Sequence, residues 1–185
     1  DEFTIETVAF CRSQTDMPLR GFTATNENIE ALYTDSDLSV KVTYQLNPAD
    51  HFFQKHLEIT FVRDEALKRV VVSRPILGRN GLEIICYRHP DYEWVSDYVY
   101  ARHGQNFHRA PDTIPTRTFF GRTDTGGFFT GLEMPFDNSS VSHGKVVMGY
   151  APNIKVRANE LLRSESMYFG VYGRGACDDR VSEWR

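Results

Sequence analysis

Leu38–Leu46, reading Leu-Ser-Val-Lys-Val-Thr-Tyr-Gln-Leu, alternates apolar and polar residues over nine positions. Successive side chains of a strand point to opposite faces, so this run puts one face in a core and the other in water. A chain built on such a segment must pair it and cover its apolar side. Residues 28–33 precede it across Thr34-Asp35-Ser36-Asp37, whose short polar side chains bond nearby backbone and favour a turn, which predicts a hairpin. Alternation returns over residues 55–63, with Leu57, Ile59 and Phe61 on one side, and Val70-Val71-Val72 marks a strand over 69–73.

The rest of the chain repeats the pattern. A first strand is expected over 3–10, followed by turn chemistry at 13–18, and Asn47-Pro48-Ala49-Asp50 predicts a break because proline lacks a ladder donor. Residues 64–68 are too short for a helix of their own and read as a connector. Asn80-Gly81 suits a primed hairpin turn, across which residues 82–87 are expected to pair. Further strands are expected over 94–101, 117–122, 128–132, 145–150, 154–157 and 166–172. Residues 158–164 fit a short helical turn or an exposed bend. The polar stretch 102–115, bounded by Pro111 and Pro115, is the longest expected loop. No long helix is required, so the expected class is all-β, an antiparallel β-sandwich.

Length and composition set the limits on partners. At 185 residues one core is expected, with a single domain over 1–172 and a tail or linker start over 173–185. Aromatics reach 13% of residues, with 13 Phe and 9 Tyr against 4 Met, a bias that suits sheet faces and sugar-stacking surfaces. The net charge of -4 has no long runs of either sign, which argues against nucleic acid and anionic membranes as partners. No apolar run approaches the roughly 20 residues of a spanning helix. The opening Asp1-Glu2 reads as a processed or excised segment. Cys11, Cys86 and Cys177 lie far apart without a C-x-x-C pair, so at most one disulfide is expected and no zinc or redox motif.

Among chemistry-bearing residues, His51 and His56, like His103 and His108, are five apart and lack metal-ligand spacing. No G-x-S-x-G and no phosphate-binding loop occurs, and no cofactor is expected. The densest stretch is 126–138, where two glycines and two aromatics run into Glu133, Pro135, Asp137 and Asn138. Glu133 and Asp137 read as ligand contacts at a sheet edge before they read as an acid–base pair. Trp94 and its tyrosine neighbours, followed by His103, Asn106 and His108, combine aromatic platforms with neutral hydrogen-bonding groups, a mixture that suits hydroxylated ligands. Asn138-Ser139-Ser140 meets the N-glycosylation pattern and serves as a surface-turn marker.

Three segments, Asp50-His51-Phe52-Phe53-Gln54-Lys55-His56-Leu57-Glu58-Ile59, Thr130-Gly131-Leu132-Glu133-Met134-Pro135-Phe136-Asp137-Asn138 and Tyr168-Phe169-Gly170-Val171-Tyr172, resemble the N-terminal β-supersandwich of α-galactosidase-like glycoside hydrolases. That galactose-mutarotase-like fold implies a domain with no reaction centre of its own, since the nucleophile and acid belong to a barrel beyond Arg185. The implied partners are carbohydrate or a C-terminal catalytic domain, and the implied location is periplasmic or extracellular. Trp94, His103, His108, Glu133, Asp137 and Asn138 are then the carbohydrate-contact candidates. Two other readings compete: an aldose-epimerase-like enzyme pairing His103 or His108 with Glu133, and a structural or protein-interaction domain without ligand.

Overall fold

The structure, a computed structural model, describes residues 3–46, 51–74, 83–88, 99–103, 114–115, 118–123, 126–133, 139–142 and 145–173. The strands follow as β1 (Thr4–Thr7), β2 (Cys11–Ser13), β3 (Leu19–Ala24), β4 (Asn28–Thr34), β5 (Leu38–Leu46), β6 (Phe52–Phe61) and β7 (Glu65–Ser73). Then come β8 (Glu83–Arg88), β9 (Val99–His103), β10 (Ile114–Pro115), β11 (Thr118–Thr123) and β12 (Gly126–Leu132). The last five are β13 (Ser140–Ser142), β14 (Lys145–Tyr150), β15 (Ile154–Val156), β16 (Leu161–Arg163) and β17 (Met167–Gly173). Among the described residues the only helical element is a 3-10 turn, Gln14–Asp16, and no helix is long and apolar enough to cross a membrane.

Two antiparallel sheets form the sandwich. Among the described residues the larger has ten strands in the order β3-β4-β5-β6-β17-β12-β11-β8-β9, with β16 also on β6. The smaller has seven, β10-β13-β14-β7-β1-β2, with β15 also on β7. Leu38, Val40, Val42, Leu57, Ile59 and Phe61 from the large sheet meet Phe3, Ile5, Leu67, Val70, Val72, Val146 and Met148 from the small one in a single buried core. Full burial of each such side chain contributes on the order of 2 kcal/mol, and two facing sheets are the arrangement that dries one face of each.

The expected hairpin stands, with β4 and β5 paired from Asn28↔Gln45 to Thr34↔Ser39. Its turn is held by Asp35, whose Oδ1 accepts the N–H groups of Asp37 at 2.7 Å and Leu38 at 2.9 Å. Arg12 on β2 bonds Asp35 and Asp37 at 3.0 Å each, and Arg63 after β6 reaches Asp37 at 2.8 Å. One turn thereby ties an end of the small sheet to the large one.

Several expectations change. The strand expected over 3–10 ends at Thr7, because the Thr7 hydroxyl accepts the N–H groups of Ala9 and Phe10 at 3.1 Å and turns the chain; β2 begins after it. All but the first residue of the connector at 64–68 lies within β7, where pairing of Ala66 and Leu67 with β15 supplies the hydrogen bonds that a lone short segment lacks. The turn across which 82–87 was expected to pair lies outside the described residues; β7 pairs with β1, β14 and β15, while β8 pairs with β9 and β11 in the other sheet. The exposed bend expected within 158–164 is found at 158–159, where the Glu160 N–H donates to the Arg157 carbonyl at 3.2 Å, but 161–163 are strand. Asn159 takes a positive φ of 59°, and β16 then pairs with β6. β3, β10 and β13 have too little apolar alternation to be read from sequence. Of the loop expected over 102–115, the first two residues belong to β9 and the last two to β10, and the residues between lie outside the described ones. The turns at 47–50 and 78–81, Trp94, His108, Asp137, Asn138, Cys177 and the tail from 174 lie outside the described residues.

Candidate functional site

The large sheet outruns the small one. On its inner face, the side toward the small sheet, burial is complete at one end and fades toward the other. Along β5, Leu38, Val40 and Val42 are buried, Tyr44 is half-buried and Leu46 is 45% exposed. Along β6, Phe61, Ile59 and Leu57 give way to a half-buried Phe53, and along β17 the buried Met167 gives way to Phe169 and then to Val171 at 65% exposure. On the neighbouring strands Ile29 and Phe22, 43% and 64% exposed, continue this apolar end in register with Tyr44 and Ala31. An apolar surface of this extent on one face is the mark of an interaction site.

Four rings cross that end. Tyr44 meets Phe53 edge-on at 5.7 Å, Phe53 stacks on Phe169 at 5.4 Å and 25°, and Phe169 stacks on Phe128 at 5.4 Å and 10°. Phe128 in turn leans over its cross-strand partner Gly121, where an added Cβ would lie 2.0 Å from the ring. Ring faces in this row are taken by neighbours, so it presents mostly ring edges to solvent. Beneath it Lys55 is buried, with Nζ 5.1 Å from the Tyr44 centroid.

The glycines of the 126–138 stretch serve close approach. Gly126 has φ 148°, a conformation that side-chain-bearing residues avoid, and a Cβ on it would meet the Tyr172 carbonyl oxygen at 2.4 Å. Gly127 lies against the Gly121 carbonyl, which also accepts the Tyr172 hydroxyl at 2.9 Å.

The structure separates the candidates named from sequence. Glu133 is exposed just past β12, and its N–H donates to the Ser166 carbonyl at 3.0 Å. His103 ends β9 in a register row that runs His103, Ile84, Gly121, Phe128, Val171. From that row Glu133 is five residues along β12, and β9 stands three strand positions from β12. On a flat sheet these steps put the His103 and Glu133 Cα atoms roughly 20 Å apart. That is too far for one sugar ring or one proton-transfer pair. Sequence reading missed the stacked row, although its signal was there: the doublets Phe52-Phe53, Phe128-Phe129 and Tyr168-Phe169 each send one ring to either face of a strand.

On the outer face several polar side chains are paired. Lys41 bridges Glu58 at 2.6 Å and Glu30 at 3.7 Å. His56 is buried opposite Thr43, with Nδ1 3.5 Å from Arg163 Nη2. Burial and then the Arg163 charge push the imidazole below its ordinary pKa. Among the described residues no three His, Cys, Asp or Glu side chains are placed to hold a metal ion.

No family model and no curated protein matches the chain. Solved structures do. A GH36 α-galactosidase of Geobacillus stearothermophilus matches with a TM-score of 0.64 and 10% identity over 94% of this chain and 30% of its own. The α-galactosidase of Lactobacillus brevis gives 0.61 and 11% over 94% and 29%. The galactosidase domain of an α-galactosidase–sucrose kinase gives 0.55 and 10% over 94% and 27%. The chain spans less than a third of each, and at such identity the likeness is one of fold.

Proposed function

We propose, from a fold shared with one part of larger glycoside hydrolases, that this chain is a non-catalytic β-sandwich domain that packs against a catalytic unit. The observation that carries the reading is the uncovered apolar end of the inner face. Its stacked rings have their faces occupied and present edges, which suits an apolar protein surface better than a sugar, whose C–H groups stack on an open ring face. The fold neighbours supply the occupant: in each, most of the polypeptide lies outside the matched part.

Val171→Asp combined with Leu46→Asp tests this. Both sites are exposed, so the isolated chain is expected to keep its stability to within about 0.5 kcal/mol. In the full gene product the pair is expected to loosen the domain and speed its proteolytic separation from the catalytic unit. A gene product without such a unit, or one indifferent to the pair, overturns the reading. The isolated chain is also expected to leave the optical rotation of fresh α-galactose drifting at the buffer rate; acceleration would favour the epimerase alternative.

Carbohydrate contact is the second reading, favoured by the position of His103 in the register row of Phe128. Trp94, His103 and His108 would act from β9 and its flanks, and Glu133, Asp137 and Asn138 from the corner after β12. The distance between His103 and Glu133 makes them two contact zones on an extended glycan.

A further inference from the structure

The partner rings of the three doublets build a different surface on the outer face of the large sheet. One register row there runs Phe52, Gly170, Phe129, Phe120 across four adjacent strands. Gly170 leaves a gap in the row, and Phe129 fills it: an added Cβ at Gly170 would lie 2.3 Å from its Cζ and 2.4 Å from its Cε1. Phe129 therefore sits low on the sheet. Phe52, Phe120 and Tyr168 surround it with centroids at 6.4, 6.5 and 6.2 Å and planes inclined by 62°, 37° and 48°. In contrast to the inner row, no ring among the described residues stacks in parallel on Phe129. All four are half-buried, so the cluster is a shallow aromatic hollow that still reaches solvent. The next row along the same face carries Gln45 and Gln54, in register with each other and with Tyr168. That is a neutral rim of amide donors and acceptors beside an apolar floor.

We propose that this hollow, centred on Phe129 over Gly170, is a binding site for one pyranose ring of an uncharged saccharide. The C–H face of the sugar would rest on Phe129, and Gln54 would bond its hydroxyls. A neutral rim selects against phosphorylated or carboxylated ligands, and a tilted ring wall suits a puckered ring better than a flat base. The site lies on the opposite face from the docking surface, so either proposal can fail alone.

The test is ligand-observed NMR on the isolated chain, with methyl α-D-galactopyranoside, methyl α-D-glucopyranoside and raffinose as probes. Saturation transfer to the sugar C–H protons is expected with at least one probe at millimolar concentration. Gly170→Ala keeps every aromatic residue but lifts Phe129 off the floor, and it is expected to weaken binding at least tenfold, as is Phe129→Ala. Gln54→Ala, a half-buried rim change, is expected to weaken binding several-fold with an unchanged melting temperature. It keeps the test valid should the other two variants fail to fold. Phe53→Ala, on the inner face, is expected to leave affinity within twofold. No transfer with any of the three sugars, or equal affinity in Gln54→Ala, overturns the proposal. Loss of binding in Phe53→Ala alone would move the site to the inner face and overturn it as well.

Discussion

Single residues decide how closely the central strands approach. Gly121 is buried under the Phe128 ring, and the ring is itself pinned by Phe169, so a methyl group there has nowhere to go. Gly121→Ala is expected to cost about 1–3 kcal/mol, as overpacking does, read as a lower urea midpoint with an unchanged slope. His56 sets a pH dependence. Its folded-state pKa lies below the ordinary value near 6.5, so the unfolded chain takes up the proton more readily. Its contribution to stability is present above that value and is lost as pH falls through the folded-state pKa. The groups facing it are Arg163 from β16, Lys41 and Thr43 from β5, Glu58 on its own strand and Glu30 from β4. His56→Gln is expected to flatten the fall in urea midpoint between pH 7.5 and pH 5, and an unchanged slope with pH would contradict this assignment.

At the scale of elements, the β4–β5 turn and the β16–β17 junction hold the large sheet in register. Burial opposes the charge on Asp35, but the N–H groups of Asp37 and Leu38 and the Arg12 guanidinium outweigh it and hold the carboxyl below its ordinary range. Asp35→Ala frees two backbone donors and removes one of the two carboxylates that hold Arg12, and is expected to cost about 1–3 kcal/mol by chemical denaturation. The aspartate's share is present at neutral pH and lost as pH falls below the ordinary carboxyl range. At the other element, β16 and β17 lie end to end along one edge of β6, and Ser164 bridges the gap. Its N–H donates to the Leu57 carbonyl at 2.8 Å and its hydroxyl oxygen accepts the Leu57 N–H at 2.8 Å. The Glu165 N–H just beyond donates to the Tyr150 hydroxyl of the small sheet at 3.2 Å. A break in alternation at Ser164-Glu165-Ser166 hides this continuity from a sequence reading, which looks for unbroken period-two runs.

For the whole molecule, the end of the large sheet's inner face where burial fades is what creates a surface to use, and that end carries aromatics. Local chemistry made much of this legible from sequence. The alternation of Leu38–Leu46, the Asp-rich turn before it, the matching pattern at Leu57, Ile59 and Phe61, and the strand Lys145–Tyr150 are each set by residues a few positions apart. The all-β sandwich followed from them, while the likeness to one part of α-galactosidases rested on the segments 50–59, 130–138 and 168–172. Which strands neighbour which was not legible, because β17 inserts between β6 and β12 from far along the chain, and β7 and β8 part into different sheets despite an Asn-Gly between them. The site was hidden for the same reason. Phe53, Phe169 and Phe128 are remote in sequence and become one row only when three strands come into register. The sequence by itself determined which residues face a core, since side-chain alternation is a property of a single strand. Only the tertiary structure decided which rings share a face and which face stays uncovered, since both depend on pairing between strands distant in the chain.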